Sequence, residues 1–76
     1  MNQYKIHIHT YISPEIMERI LRIIRHRGFK VCFMKANTII EIGNIIIEMI
    51  VESTKPIEFL VKQLYKLIDV FDIKVI

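Results

Sequence analysis

"RHRGFKVCFM", Arg25 to Met34, is the stretch on which the reading of this chain turns. Arg-Gly-Phe opens the main signature of the RNA recognition motif, in which strand-borne aromatic rings stack on bases. The same residues also read as the end of a helix, a stop at Gly28 and a strand from Phe29 to Lys35. In the RNA motif the signature lies on the third strand, with a small residue after the first aromatic and a second aromatic next. Here Lys30 and Val31 stand at those places, and the segment directly follows the first helix, which makes it the second strand. Alternation then points Phe29, Val31 and Phe33 toward the helices.

Working upstream, Ser13-Pro14-Glu15 has the marks of a helix start: a hydroxyl for the N-cap, a proline whose missing N–H costs nothing, and an early carboxylate. The spacing predicts a helix from Pro14 to about Arg27. Ile16, Ile20, Ile23 and Ile24 share one face with Met17 and Leu21 at its flank, while Glu15, Glu18, Arg19, Arg22, Arg25 and His26 lie opposite. Gly28 is the left-handed stop. Before the helix, Tyr4 to Ile12 alternates, with Tyr4, Ile6, Ile8, Thr10 and Ile12 on one side and Lys5, His7, His9 and Tyr11 on the other.

Downstream, Ile45, Ile47, Met49 and Val51 form the buried face of a third strand that follows a turn at Gly43 and Asn44. Between strands two and three, Ala36 to Ile42 has strand propensity where a hairpin connection belongs, so longer strands or an ordered loop are expected there. Lys55 and Pro56 open a second helix, with Ile57, Leu60, Val61, Leu64, Leu67 and Ile68 at helical spacing. Asp69 marks its exit, and Phe71 to Val75 is a fourth strand. The order βαββαβ predicts an α+β, ferredoxin-like sandwich: one domain over residues 1–76, a four-stranded antiparallel sheet in order 4-1-3-2, and both helices on one face. The other face would carry Lys5, His7 and His9, then Cys32 and Met34, then Ile46, Glu48 and Ile50, then Asp72 and Lys74. So apolar a mixture predicts self-association through the sheet face or an edge.

Composition agrees with a small packed domain. Of 76 residues, 53% are hydrophobic, enough for a core in a chain that hides only about 60% of its unfolded surface. Glu41, Glu48 and Glu52 interrupt the richest apolar stretch, so no membrane span is expected. The first residues lack a signal-peptide pattern and a single cysteine makes no internal disulfide, which sets the cytoplasm as the expected location. A net charge of +3, spread among eight acidic residues, does not call for nucleic acid.

Few constellations carry chemistry. Glu15 to Arg19 and Glu18 to Arg22 are i, i+4 pairs in the favourable order, and the cations from Arg25 to Arg27 sit at a negative helix end. A solvated, dipole-matched face explains most of this cluster, leaving Arg25, His26 and Arg27 as candidate partner contacts. Phe59 lies opposite the apolar stripe of the second helix and joins them as a candidate. His7 and His9 share a strand face that Cys32 could join, but zinc needs three or four ligands and no fixed spacing supplies them; no metal is expected, and Cys32 reads as a small buried hydrophobe. No nucleophile with an adjacent base and no glycine-rich phosphate loop is present, so no catalytic residue is assigned. Acylphosphatases share the strand order, yet "TYISPEI" lacks the arginine and glycine of their phosphate loop.

Two longer stretches, "SPEIMERILRIIRHRGFKVC" and "NIIIEMIVES" followed by "LVKQLYKLIDV", resemble the small regulatory subunits of acetolactate (acetohydroxyacid) synthases of the isozyme II type. Pro14-Glu15, Glu18-Arg19, Arg25 to Phe29, Val31-Cys32, Asn44, Leu67 and Asp69-Val70 carry the resemblance, which runs from about Ser13 to Val75. It implies an ACT domain that activates and stabilises a large catalytic subunit in valine, leucine and isoleucine biosynthesis. Thiamine diphosphate, Mg2+ and FAD are then expected in that partner and none in this chain. In valine-sensitive relatives the turn between strand one and helix one carries an asparagine and a glycine that cradle the effector. The matching residues here are Ile12 and Glu15, in the turn Ile12-Ser13-Pro14-Glu15, so weak or absent valine feedback is expected. The chain then corresponds to the ACT core without the further domain of longer relatives. An RNA-binding module and a free-standing ligand-sensing ACT domain are the alternatives.

Overall fold

Ile6, Ile8 and Thr10 on β1 (Asn2–Tyr11) and Ile45, Ile47, Met49 and Val51 on β3 (Asn44–Ser53) point to one side of an antiparallel pair, and that side is buried. The alternation read from the sequence is thus the alternation of burial. The computed structural model describes residues 1–76. β2 (Lys30–Ile39) flanks β3 and β4 (Val70–Val75) flanks β1, giving the antiparallel order β2-β3-β1-β4, as expected. α1 (Ile16–His26) buries Ile16, Ile20 and Ile24 on this sheet, and α2 (Ile57–Leu64) buries Ile57, Leu60 and Leu64. Each such aliphatic side chain contributes about 1.5–3 kcal/mol relative to exposure, which makes this single layer of contacts the main source of stability.

Polar side chains fasten the layer at its two ends. Thr10, fully buried at the end of the β1 stripe, donates its hydroxyl to the Asp69 carbonyl at 3.0 Å. At the other end, Ser53 Oγ donates to the Gly28 carbonyl at 2.9 Å and accepts the Lys55 N–H at 3.1 Å. Gly28 has φ +82°, so it is the left-handed stop that its position predicted. Lys55 Nζ also donates to the Arg27 carbonyl at 3.1 Å, satisfying one of the free carbonyls that end α1.

The structure corrects the second strand. β2 runs on to Ile39 and meets a 3-10 turn, Ile40–Ile42, so the ambiguous "TIIEI" is divided between strand and ordered turn. Val31 pairs with Val51 but Phe33 pairs with Ile50, which leaves Cys32 as the extra residue of a β-bulge. Past the bulge every side chain changes face. Phe29 is buried and Val31 packs on the core as expected, but Phe33 turns to the open face and is half exposed. Met34, opposite Met49, takes the helix side, and Cys32 is exposed rather than a buried hydrophobe.

Two helix boundaries also differ. Ser13 is not the N-cap; Glu15 holds that position at φ +63°, and no side chain caps the helix. Pro14 disfavours the helical region for Ser13, whose hydroxyl instead meets the charged Asp69 carboxylate at 2.9 Å. α2 stops at Leu64 instead of continuing to Ile68, because successive tight turns (Lys66 N–H to Gln63, Leu67 N–H to Leu64, Val70 N–H to Leu67) reverse the chain into β4. Leu67 still packs on the core, whereas Ile68 is 91% exposed. The Tyr65 hydroxyl accepts the Ile73 N–H at 2.9 Å and so covers part of the β4 edge; β2, the other edge, is ten residues long and pairs only with β3.

Candidate functional site

The end of the sheet where β1 stops is built from three loops. Tyr11 N–H donates to the Asp69 carbonyl and Ile12 N–H to the Gly43 carbonyl, both at 2.9 Å, so the β1–α1 turn is held between the turn before β3 and the turn before β4. Gly43 at φ +67° allows the reversal after Ile40–Ile42. With its amide nitrogen turned toward the acceptors, the Asn44 side chain reaches the Ile42 and Gly43 carbonyls at 3.2 Å.

Within this frame the four residues of the expected effector turn lie together. The Ile12 side chain is 45% exposed and offers no hydrogen-bonding group, while its N–H is already used. The Ser13 hydroxyl is committed to Asp69. Glu15 occupies a left-handed conformation that costs a residue with a Cβ roughly 1–2 kcal/mol, and its carbonyl accepts the Arg19 N–H at 3.0 Å. Glu15 is exposed beside the N-terminus of α1, in a backbone conformation that a glycine would adopt freely.

The partner-contact candidates gather at the opposite end, where α1 stops and α2 begins. Arg25 lines an open groove of about 600 Å³ with Glu18, Arg22 and Lys30 at its rim and Leu21, Phe29 and Val31 at its floor. Arg27 and His26 are exposed, and Phe59, 39% exposed, lies under Lys55 Nζ at 5.5 Å from its ring centre. The expected Glu15–Arg19 and Glu18–Arg22 ion pairs are not formed; the one close acid–base contact is His7 Nε2 to Glu48 Oε1 at 3.5 Å, on the open sheet face. There the rows Lys74-His7-Glu48-Lys35 and Asp72-His9-Ile46-Asn37 cross the four strands. His9 meets the edge of Phe71 at 6.1 Å, and Tyr11 stacks on Phe71 at 4.6 Å. Cys32 is separated from both histidines by β3.

Sequence reasoning missed the bridging role of Lys55 and the outward display of Ile40, Ile42 and Ile68 at the effector-turn end. Lysine beside a proline at a helix start carries no signal of reaching another helix. The isoleucines look like core residues until the turns that expel them are known.

Comparison with known proteins places this geometry. A family model described as ACT domain matches residues 12–73. The acetolactate synthase isozyme 2 small subunits of Escherichia coli K12 and Shigella flexneri are each 41% identical over 70 residues, covering 92% of this chain and 80% of theirs. Among solved structures, the acetolactate synthase small subunit of Thermotoga maritima superposes with a TM-score of 0.86 at 21% identity, covering 99% of this chain and 47% of that one. The ACT domain of the GTP pyrophosphokinase of Chlorobium tepidum superposes at 0.82 with 14% identity, over 97% of this chain and 96% of that one. At such identities the two structural matches speak for the fold.

Proposed function

This chain belongs to the ACT domain family, and from that membership we propose that it is the small, non-catalytic regulatory subunit of an acetolactate synthase, which it activates by binding the large catalytic subunit. The observation that carries the reading is the 41% identity to isozyme 2 small subunits along 92% of the chain. The fold is suited to the task. A domain with no nucleophile–base pair but with unpartnered surfaces at both ends and along one sheet face acts through differential binding of its partner's conformational states.

On this reading thiamine diphosphate, Mg2+ and FAD belong to the large subunit, and both chains work in the cytoplasm in the supply of branched-chain amino acids. No helix is long and apolar enough to cross a membrane. Feedback by valine is weak or absent, a conclusion supported by the committed donors of Ile12 and Ser13 and by the Glu15 carboxylate. Self-association runs along β2, whose ten-residue edge is the longer open one. Arg25, His26, Arg27 and Phe59 stay available to a partner at the far end.

The test is reconstitution. Purified chain is added to its cognate large subunit and acetolactate formation is followed against chain concentration, with co-elution on a sizing column. Saturable activation is the expected result. The absence of both activation and co-elution would refute the subunit role.

A further inference from the structure

Resting on the regulatory-subunit reading, we propose that the sheet end formed by the β1–α1 turn, the Ile40–Ile42 turn and the loop before β4 is the surface that docks on the large catalytic subunit. Its core is an apolar strip of four isoleucines: Ile12, Ile40, Ile42 and Ile68 expose 45, 79, 62 and 91% of their surface. A single exposed aliphatic residue is ordinary. Four of them on three loops that hydrogen-bond to one another form a patch of the kind that marks an interaction site. The stacked pair Tyr11–Phe71 continues the strip onto the open face.

The strip is held in place rather than left loose. Ile12 N–H to Gly43, Tyr11 N–H to Asp69, Ser13 Oγ to Asp69 and Gly43 N–H to Ile40 fix the three loops against the sheet. A preorganised apolar surface loses little conformational entropy on association. The isoleucines are so exposed that the fold gains little from them.

Charge identifies the chemistry of the occupant. Residues 11–15, 40–43 and 65–70 carry Glu15, Glu41 and Asp69 against a single cation, Lys66, in a chain whose net charge is +3. An apolar site rimmed by lysine or arginine is therefore the complementary surface. The basic groove at the other end of a second copy has that chemistry, but a head-to-tail contact of this kind generates open filaments unless its rotation closes a ring. The β2 edge offers copies an isologous alternative, which leaves the isoleucine strip to the large subunit.

The experiment titrates full-length variants against the cognate large subunit, reading the half-activating concentration, the activity at saturation and the thermal midpoint of the chain alone. Ile40→Asp and Ile68→Asp are expected to raise the half-activating concentration about tenfold or more each, with saturating activity and midpoint unchanged. Glu41→Lys is expected to raise it, whereas Lys62→Glu, on the exposed face of α2 and outside every candidate contact, leaves it unchanged. Ile68→Ser, milder and at the most exposed position, carries the test should either aspartate variant fold poorly. Variants that titrate like the parent overturn the docking surface and leave the regulatory reading standing. A parent that neither activates nor co-elutes overturns both. Variants that lose self-association yet activate with the parent's affinity assign the strip to copies of this chain and overturn the proposal.

Discussion

The hydroxyl of Ser13 donates to the Asp69 carboxylate at 2.9 Å, tying the first strand-to-helix turn to the residue that precedes β4. The same aspartate accepts the Tyr11 N–H and the Thr10 hydroxyl at its backbone carbonyl, so one residue fixes the ends of two neighbouring strands. Removing the Ser13 hydroxyl leaves a half-buried carboxylate short of one charge-assisted bond. Ser13→Ala is expected to cost about 1–2 kcal/mol. At roughly 4–8 °C per kcal/mol for a domain this size, the loss is easily read in a thermal melt. An unchanged midpoint would show that the bond contributes nothing beyond what water supplies.

Gly28 and Lys55 present a case in which two effects of one substitution can be separated. A Cβ at Gly28 would lie 3.1 Å from Lys55 Nζ, and the backbone there is at φ +82°. The lysine tip can move aside, whereas the backbone angle cannot change without undoing the turn. Gly28→Ala is therefore expected to cost about 1–2 kcal/mol, mostly through the backbone. In denaturant unfolding, adding Lys55→Ala should not restore the lost stability. Recovery of most of it in the double variant would mean that the clash dominates.

Cys32 tests the bulge directly. An exposed thiol reacts with an aromatic disulfide reagent in the native state, whereas one buried under the helices waits for unfolding. Rapid labelling of the dilute chain is expected. Slower labelling at high concentration would accompany pairing along β2, so the same assay reports on self-association. A thiol that reacts only in denaturant would contradict the register that places Phe33 opposite Ile50.

The valine argument rests on two side chains. The parent complex is expected to keep its activity at millimolar valine. Ile12→Asn combined with Glu15→Gly restores a side-chain amide and an open left-handed backbone, and is expected to introduce valine inhibition. Glu15→Gly alone should raise stability by up to about 1 kcal/mol, through relief of the φ +63° conformation, without creating inhibition. Strong inhibition of the parent complex by valine would refute the reading of this turn.

Legibility in the sequence followed polar contrast. Along β1 the buried isoleucines alternate with lysine and histidine, and on β3 Glu48 and Glu52 mark the outer face that Ile46 and Ile50 share, so the buried face is decided and the four core positions Ile6, Ile8, Ile47 and Met49 follow from pattern alone. Around Cys32 the contrast disappears. Val31, Cys32, Phe33 and Met34 are all apolar, so nothing in the strand itself shows where one extra residue enters, and only pairing with β3 decides it. The end of α2 was hidden for a related reason: Leu67 and Ile68 continue the helical spacing, and neither glycine nor proline marks the stop. The expectation for the turn Ile12-Ser13-Pro14-Glu15 came only from family resemblance, because Ile12 and Glu15 carry no chemistry that would single them out.

Ile47, fully buried at the centre of β3 and opposite Ile8, links core stability to function. Truncation to alanine removes three carbons from a core that cannot close around the gap, at a cost of about 2–5 kcal/mol. For 76 residues the whole folding free energy is on the order of 4–11 kcal/mol, so Ile47→Ala is expected to leave the isolated chain much less stable and partly unfolded at assay temperature. A partner that binds only the folded form adds about 2.7 kcal/mol when present at a hundred times its dissociation constant. Excess large subunit should therefore recover activation by Ile47→Ala, at a higher half-activating concentration, with Ile47→Val intermediate. Circular dichroism of the isolated variant and the activation titration check the two halves separately. A parent-like melt would refute the packing argument, and a folded but non-activating complex would refute the coupling of folding to binding.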